Sequence, residues 1–100
     1  MPPTEPPPEW VLARRRVLGD RIRAARTARA MSQERLGELG GADRQTVNRI
    51  EQGHHATRID TLFRIADALG VPLSDLVREE RPPPPREAQG PLGLPDPGPP

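Results

Sequence analysis

One short segment of the chain concentrates side chains that can each make several hydrogen bonds. They are Arg44, Gln45, Asn48 and Arg49. Arginine can bond O6 and N7 of guanine, and glutamine or asparagine can bond N6 and N7 of adenine, in the major groove of DNA. A polar outer face is also what any solvated helix presents, so composition alone leaves both interpretations open.

These side chains act together only if a helix turns them all away from a core. Val47 and Ile50 lie three positions apart and form the apolar side of that helix. At 100° per residue, the polar set points away from these two residues. Asp43 is a candidate N-cap before the helix and Gly53 closes it, so the pattern predicts a short amphipathic helix between them.

A second short helix is predicted immediately before this one. Ser32 can cap its first turn, Leu36 and Leu39 follow as inward positions, and a Gly-Gly pair ends it. Two short helices joined by a turn of small residues form a helix-turn-helix unit. The sequence places that unit at about residues 32–52.

The same periodicity predicts three further helices, and no segment alternates as a strand does. We expect the first helix from about residue 14 to Arg29, and the fourth from Thr57, which forms a near capping box with Asp60. The inward positions are Leu18, Ile22 and Ala25 in the first helix, Leu62, Ile65, Ala66 and Leu69 in the fourth, and Leu73, Leu76 and Val77 in the fifth. The predicted fold class is therefore all-α, with five helices around one small aliphatic core.

Proline marks where this domain stops. Of 15 prolines, five lie in residues 2–8 and nine in residues 82–100. Segments this poor in apolar residues bury too little surface to offset the entropy of ordering. We expect a disordered Pro-rich tail at 1–13, a helix-turn-helix domain at 14–80 and a second disordered tail at 81–100. Each tail is either a plain solvated extension or a ligand for a proline-recognising protein.

The formal net charge of +1 combines a basic central segment with two acidic ends. Residues 10–78 carry 13 arginines against eight carboxylates, a net +5, and the two ends carry −2 each. A basic domain between acidic tails suggests a polyanionic partner, although genome composition explains the absence of lysine equally well. Trp10 and Arg14 to Arg16 extend the first helix, form a basic arm that touches the DNA backbone or minor groove, or are a plain solvated extension.

No group in the sequence supports catalysis or metal binding. Ser32 and Thr57 are explained as caps, and His54 and His55, the only histidines, lie in a loop without further metal ligands at usable spacing. The absence of cysteine excludes a thiolate site, and no cofactor is expected. No apolar run approaches the roughly 20 residues of a membrane span. We therefore expect neither an enzyme nor a membrane protein.

The stretch MSQERLGELGGADRQTVNRIEQG, from Met31 to Gly53, resembles the phage repressor and Cro-like (XRE-type) helix-turn-helix domains. LGDRIRAAR precedes it and IDTLFRIADALGVPLSDLV follows it, so the resemblance covers about residues 18–77. The resemblance implies a five-helix DNA-binding domain whose third helix enters the major groove, usually as a dimer on a near-palindromic site.

The resemblance also implies a role for individual residues. The base-reading positions are Arg44, Gln45, Asn48 and Arg49, and the phosphate contacts are Gln33, Thr46 and Arg58. Thr46 is alternatively a contact to a thymine methyl group, and Gln33 also braces the recognition helix. Arg26 and Glu51 match positions that form a structural salt bridge between the first and third helices, so neither is expected to touch DNA.

The sequence departs from the family pattern at two positions in the second helix. Gly37 and Gly40 stand where alanine is usual. Glycine costs a helix roughly 1 kcal/mol relative to alanine, so we expect looser packing there.

Two functions fit these observations. The first is a sequence-specific transcriptional regulator, a repressor, that binds double-stranded DNA as a homodimer in the cytoplasm, at the nucleoid. The second is an antitoxin that uses the same helix-turn-helix unit for autoregulation and covers a toxin with a tail. The Pro-rich C-terminal tail permits the second function but lacks the amphipathic pattern that folding onto a partner usually needs.

Overall fold

The computed structural model describes residues 5–79, which form five α-helices and no strand. The helices are α1 (Glu9–Ala28), α2 (Gln33–Gly40), α3 (Arg44–Glu51), α4 (Ile59–Leu69) and α5 (Leu73–Val77). The predicted all-α, five-helix fold is confirmed. Residues 1–4 and the tail predicted at 81–100 lie outside the described part of the chain.

The first helix begins earlier than the sequence predicted. α1 starts at Glu9, and Pro8 occupies its N-cap position with φ −66° and ψ 161°. Proline is tolerated there because the backbone N–H it lacks has no partner inside the helix. The guanidinium of Arg14 lies 5.1 Å from the Trp10 ring centroid. Residues 9–13 are therefore helical, which corrects the prediction of a disordered tail up to residue 13.

The fourth helix begins two residues later than predicted. α4 starts at Ile59, and its N-cap residue Arg58 makes no capping hydrogen bond through its side chain. The hydroxyl of Thr57 donates to the carbonyl of His55 at 3.5 Å instead, because a short polar side chain can satisfy the local backbone of a turn. The predicted capping box of Thr57 with Asp60 is wrong.

The core lies between the five helices: α2 packs against α3 and α4, and α1 against α3 and α5, while α4 also contacts α5. Its buried apolar residues are Ile22, Leu36, Val47, Ile50, Leu62, Ile65, Ala66, Leu69 and Leu76. Two predicted inward positions are wrong, since Leu39 is 42% and Val77 48% exposed. They lie in the last turns of α2 and α5, beyond the buried apolar face of each helix.

Gly37 tightens the turn between α2 and α3 rather than loosening it. A Cβ atom at this position would overlap the carbonyl oxygen of Ala42. The N–H of Ala42 donates to the Gly37 carbonyl at 2.9 Å, and Gly41 between them adopts φ 77°. The expected loosening at Gly37 is therefore corrected: glycine lets the backbone of the turn close against the helix.

Candidate nucleic-acid interface

One face of α3 is held in the core and the opposite face is open. Val47 and Ile50 are buried, whereas Arg44, Gln45 and Arg49 are exposed. Within the described part of the chain, these three polar side chains make no hydrogen bond and no ion pair. These three members of the predicted base-reading set thus lie on one accessible helix face, with their donors and acceptors available.

An open hollow of about 520 Å³ marks the N-terminal end of this face. It is lined by Asp43, Arg44, Gln45 and Asn48. Arg49 lies one helical turn after Gln45 along α3. Arginine and carboxamide side chains around one hollow supply the hydrogen-bonding groups that pair with base edges.

Asp43 fixes where α3 begins. Its Oδ1 accepts a hydrogen bond from the backbone N–H of Thr46 at 2.7 Å, as the predicted N-cap requires. Hydrogen bonds from the Thr46 side chain and backbone, together with the positive charge of Arg49, lower the pKa of Asp43 below its ordinary value of 3.8. The half-buried Thr46 therefore takes part in the cap, and its predicted contact to phosphate or thymine stays a prediction.

Gln33 joins the start of α2 to the recognition helix. Its Nε2 donates to Oδ1 of Asn48 at 3.2 Å and to Oε1 of Glu51 at 3.0 Å. Both amide hydrogens are thereby used, and phosphate oxygens can only accept. A phosphate contact at Gln33 would therefore come from its backbone N–H at the helix N-terminus, where such groups point outward.

Arg26 and Glu51 form a two-pronged ion pair between α1 and α3. Nε of Arg26 donates to Oε2 of Glu51 at 2.6 Å, and Nη2 donates to Oε1 at 3.1 Å. Nη1 of Arg26 donates to the carbonyl of Met31 at 2.8 Å, in the turn before α2. The side chain of Glu51 is only 3% exposed, so the structure holds this pair away from the outer face of α3.

Gly19 lets α1 approach the end of α3 closely, and the sequence analysis did not single it out. A Cβ atom at Gly19 would overlap the backbone carbonyls of Ile50 and Glu51. An isolated glycine inside a helical pattern often has such a packing reason, which was the available signal. Gln52, at the C-cap of α3, donates from Nε2 to Oδ1 of Asn48 at 3.4 Å.

The remaining predicted contact, Arg58, lies apart from α3 along the chain. It is exposed at the N-cap of α4 and has no side-chain hydrogen bond within residues 5–79. Between the two helices, the N–H of His54 donates to the Arg49 carbonyl at 2.9 Å and ends α3. The structure leaves Arg58 available to a phosphate, and that contact stays a prediction.

The basic residues ahead of Val17 are part of α1, as the first alternative predicted. Their contact with DNA stays a prediction. Arg14 also pairs with Glu79 at 3.3 Å, next to α5. Arg16 packs against Gly53 after α3. These contacts hold the first turns of α1 against the segments that follow α3 and α5.

Among residues 5–79, no group of three or more His, Cys, Asp or Glu side chains could hold a metal ion. Within the same range, no helix combines the length and the apolar character that crossing a membrane requires.

Comparisons with known proteins agree with the arrangement of α2 and α3. Residues 22–76 match the helix-turn-helix family HTH_3. An uncharacterized HTH-type transcriptional regulator of Sinorhizobium medicae is 40% identical over 57 residues, which are 57% of this chain and 41% of that protein. The immunity repressor protein of Bacillus phage phi105 is 35% identical over 63 residues, covering 63% of this chain and 44% of the repressor. The chain thus spans less than half the length of these two relatives.

A solved structure shows the same fold at a similar level of identity. The restriction-modification controller protein C.AhdI from Aeromonas hydrophila superimposes with a TM-score of 0.62 at 34% identity. The match covers 64% of this chain and 97% of that protein. The chain belongs to the helix-turn-helix family HTH_3, the XRE-type family of DNA-binding transcriptional regulators.

Proposed function

We propose that this protein is a sequence-specific regulator that reads the major groove of DNA with α3 and binds a near-palindromic operator as a homodimer. The observation that carries the proposal is the outer face of α3. It presents Arg44, Gln45 and Arg49 without any side-chain hydrogen bond within the described residues, and Asn48 beside them. Each good two-point contact to a base edge discriminates against a wrong base by about 1–3 kcal/mol.

The charges around α3 support binding to a duplex. The contacts to phosphates come from backbone N–H groups at the start of α2, from Thr46 and from the exposed Arg58. These contacts set the register of α3 in the groove. No carboxylate other than the capping Asp43 lines the hollow on this face. Phosphate contacts make the affinity fall with salt, whereas base contacts carry the sequence preference.

Two features support a dimer. The core contains nine buried apolar residues, which is few for an independent domain. An apolar hollow of about 530 Å³ also lies between α1 and α5, lined by Trp10 and Val77 among others. Covering this hollow with a second copy would bury both side chains and set two recognition helices at a fixed spacing.

A relative supports repression as the biological outcome. The phage phi105 protein, 35% identical, is named an immunity repressor. A regulator that covers its operator blocks polymerase by occupying the same DNA, and it acts in the cytoplasm at the nucleoid. We therefore propose repression rather than activation.

Selection of bound duplexes from a random pool, at two salt concentrations, tests the proposal. We expect two related half-sites in inverted orientation, with centres about one helical turn, roughly 34 Å, apart. Higher salt should weaken binding without changing the selected sequence. A pool that yields no common sequence would contradict sequence-specific binding, and a single half-site without symmetry would contradict the dimer.

A further inference from the structure

Five hydrogen-bonded side chains form a network that runs from the buried ion pair to the outer face of α3. Arg26 donates to Glu51 at 2.6 and 3.1 Å. Gln33 donates to Glu51 at 3.0 Å and to Asn48 at 3.2 Å. Gln52 donates to the same oxygen of Asn48 at 3.4 Å. Asn48 ends this network with its Oδ1 facing two donors.

The direction of the bonds made by Arg26 and Gln33 follows from the buried end of the network. A guanidinium has only donors and a carboxylate oxygen here only accepts, so the amide group of Gln33 must turn its nitrogen toward Glu51. The reverse orientation would place a carbonyl oxygen against a carboxylate that is 3% exposed and has little water to replace the lost donor. The second N–H of Gln33 then requires an acceptor at Asn48.

Asn48 therefore has only hydrogen-bond donors available to contact a base. Its Oδ1 accepts from Gln33 and Gln52, and its Nδ2 has no hydrogen-bond partner within residues 5–79, so its two N–H groups are available. Adenine presents an acceptor and a donor in the major groove, and a two-point contact to it needs the asparagine oxygen. Guanine presents two acceptors, N7 and O6, which suit N–H donors alone.

We propose that Asn48 reads DNA as a donor only and selects guanine over adenine at its base pair, because Gln33 and the Arg26–Glu51 ion pair fix the orientation of its amide. The proposal rests on the major-groove binding proposed above and adds the identity of one base. Gln33 is then a positioning residue, which sets specificity without touching a base.

Duplex selection with the wild-type chain and with Asn48→Ala identifies the base pair concerned. That pair is the one whose preference disappears in the variant. At this pair we expect guanine in the wild-type selection, with adenine about tenfold weaker in a direct binding measurement. Adenine as the preferred base would overturn the proposal, and so would an Asn48→Ala variant that loses no preference.

Gln33→Met tests the positioning role. Methionine fills a similar volume without donors, so the Asn48 amide is free to turn and the tenfold preference for guanine should fall to within about twofold. Preferences at the pairs read by Arg44 and Arg49 should remain. An unchanged ratio of guanine to adenine affinity in a folded Gln33→Met variant would overturn the positioning role.

Gln45→Ala is the matched control, since it removes a carboxamide from the same face without touching the network. It should alter a different base pair and leave the guanine preference intact, and loss of that preference would contradict the assignment to Asn48. The failure of this inference is distinct from failure of the proposed function. A wild-type chain that enriches no sequence overturns both, whereas a selected operator with adenine at the Asn48 pair overturns only the inference.

Discussion

Replacing Glu51 with alanine removes the carboxylate that holds α1, α2 and the recognition helix together. Three hydrogen bonds are lost, two from Arg26 and one from Gln33. Removing one partner of a fully buried ion pair costs about 3–5 kcal/mol. The side chain of Arg26 is 15% exposed and keeps its bond to Met31, which lowers the expected loss to about 2–3 kcal/mol.

For a domain of this size, 1 kcal/mol corresponds to a shift of about 4–8 °C in the unfolding temperature. We therefore expect Glu51→Ala to unfold roughly 10–20 °C below the wild type, as measured by circular dichroism. Glu38→Ala is the matched control, because Glu38 pairs with Arg35 at 3.0 Å with both side chains more than half exposed. Such surface pairs contribute about 0–1 kcal/mol, so this control should shift the transition by only a few degrees.

The opposite pattern would refute the structural role of Glu51. An unchanged unfolding temperature in Glu51→Ala, together with weaker binding to the operator, would place Glu51 in the DNA contact and remove the ion pair from the account. Glu51→Gln adds a graded test, since it keeps the shape of the side chain and one acceptor. Its unfolding temperature should fall between those of Glu51→Ala and the wild type.

Further predictions concern the interface, the packing of α1 and the cap of α3. Arg49→Ala should relax the preference at one base pair and weaken binding to the selected site by about 1–3 kcal/mol. Arg23 is an exposed arginine of α1, so Arg23→Ala should leave the sequence preference unchanged in the same titration. Gly19→Ala should destabilise the domain by about 1–3 kcal/mol in a urea melt, because the added methyl group overlaps two carbonyls of α3, and an equal or higher stability would contradict the close approach. Asp43 has a lowered pKa in the folded state, so its stabilising contribution is present above the ordinary value of 3.8 and is lost as the pH falls below that value toward the lowered pKa. Urea melts between pH 7 and pH 3 should therefore show a shallower loss of stability in Asp43→Asn, and identical pH profiles would contradict the assignment.

Local signals in the sequence were sufficient for the helix-turn-helix unit. Ser32 and Asp43 cap α2 and α3 as predicted, because an N-cap depends on one side chain and the backbone that follows it. The buried positions Val47 and Ile50 followed from helical periodicity. The family resemblance then added the partners of the ion pair, which no local pattern could supply.

Features that depend on tertiary contacts were the ones missed. Prolines 6–8 favoured a tail, yet α1 starts directly after them and its first turns pack toward Glu79. Gly37 was expected to loosen α2, but the approach of the Ala42 carbonyl is visible only once the turn is built. The orientation of the Asn48 amide depends on three residues up to 22 positions away, so periodicity contains no information about it.

The claim that α3 reads the DNA sequence is tested most directly by two binding constants, one for the selected operator and one for unrelated duplex DNA. Both are measured for the wild-type protein and for a variant carrying Arg44→Ala, Gln45→Ala and Arg49→Ala. A specific regulator binds its site at least about 10³-fold more tightly than other sequences. We predict that the triple variant remains folded, keeps most of its affinity for unrelated DNA and loses nearly all of this ratio. A triple variant that still prefers the operator by the wild-type ratio would show that α3 is not the element that reads the sequence.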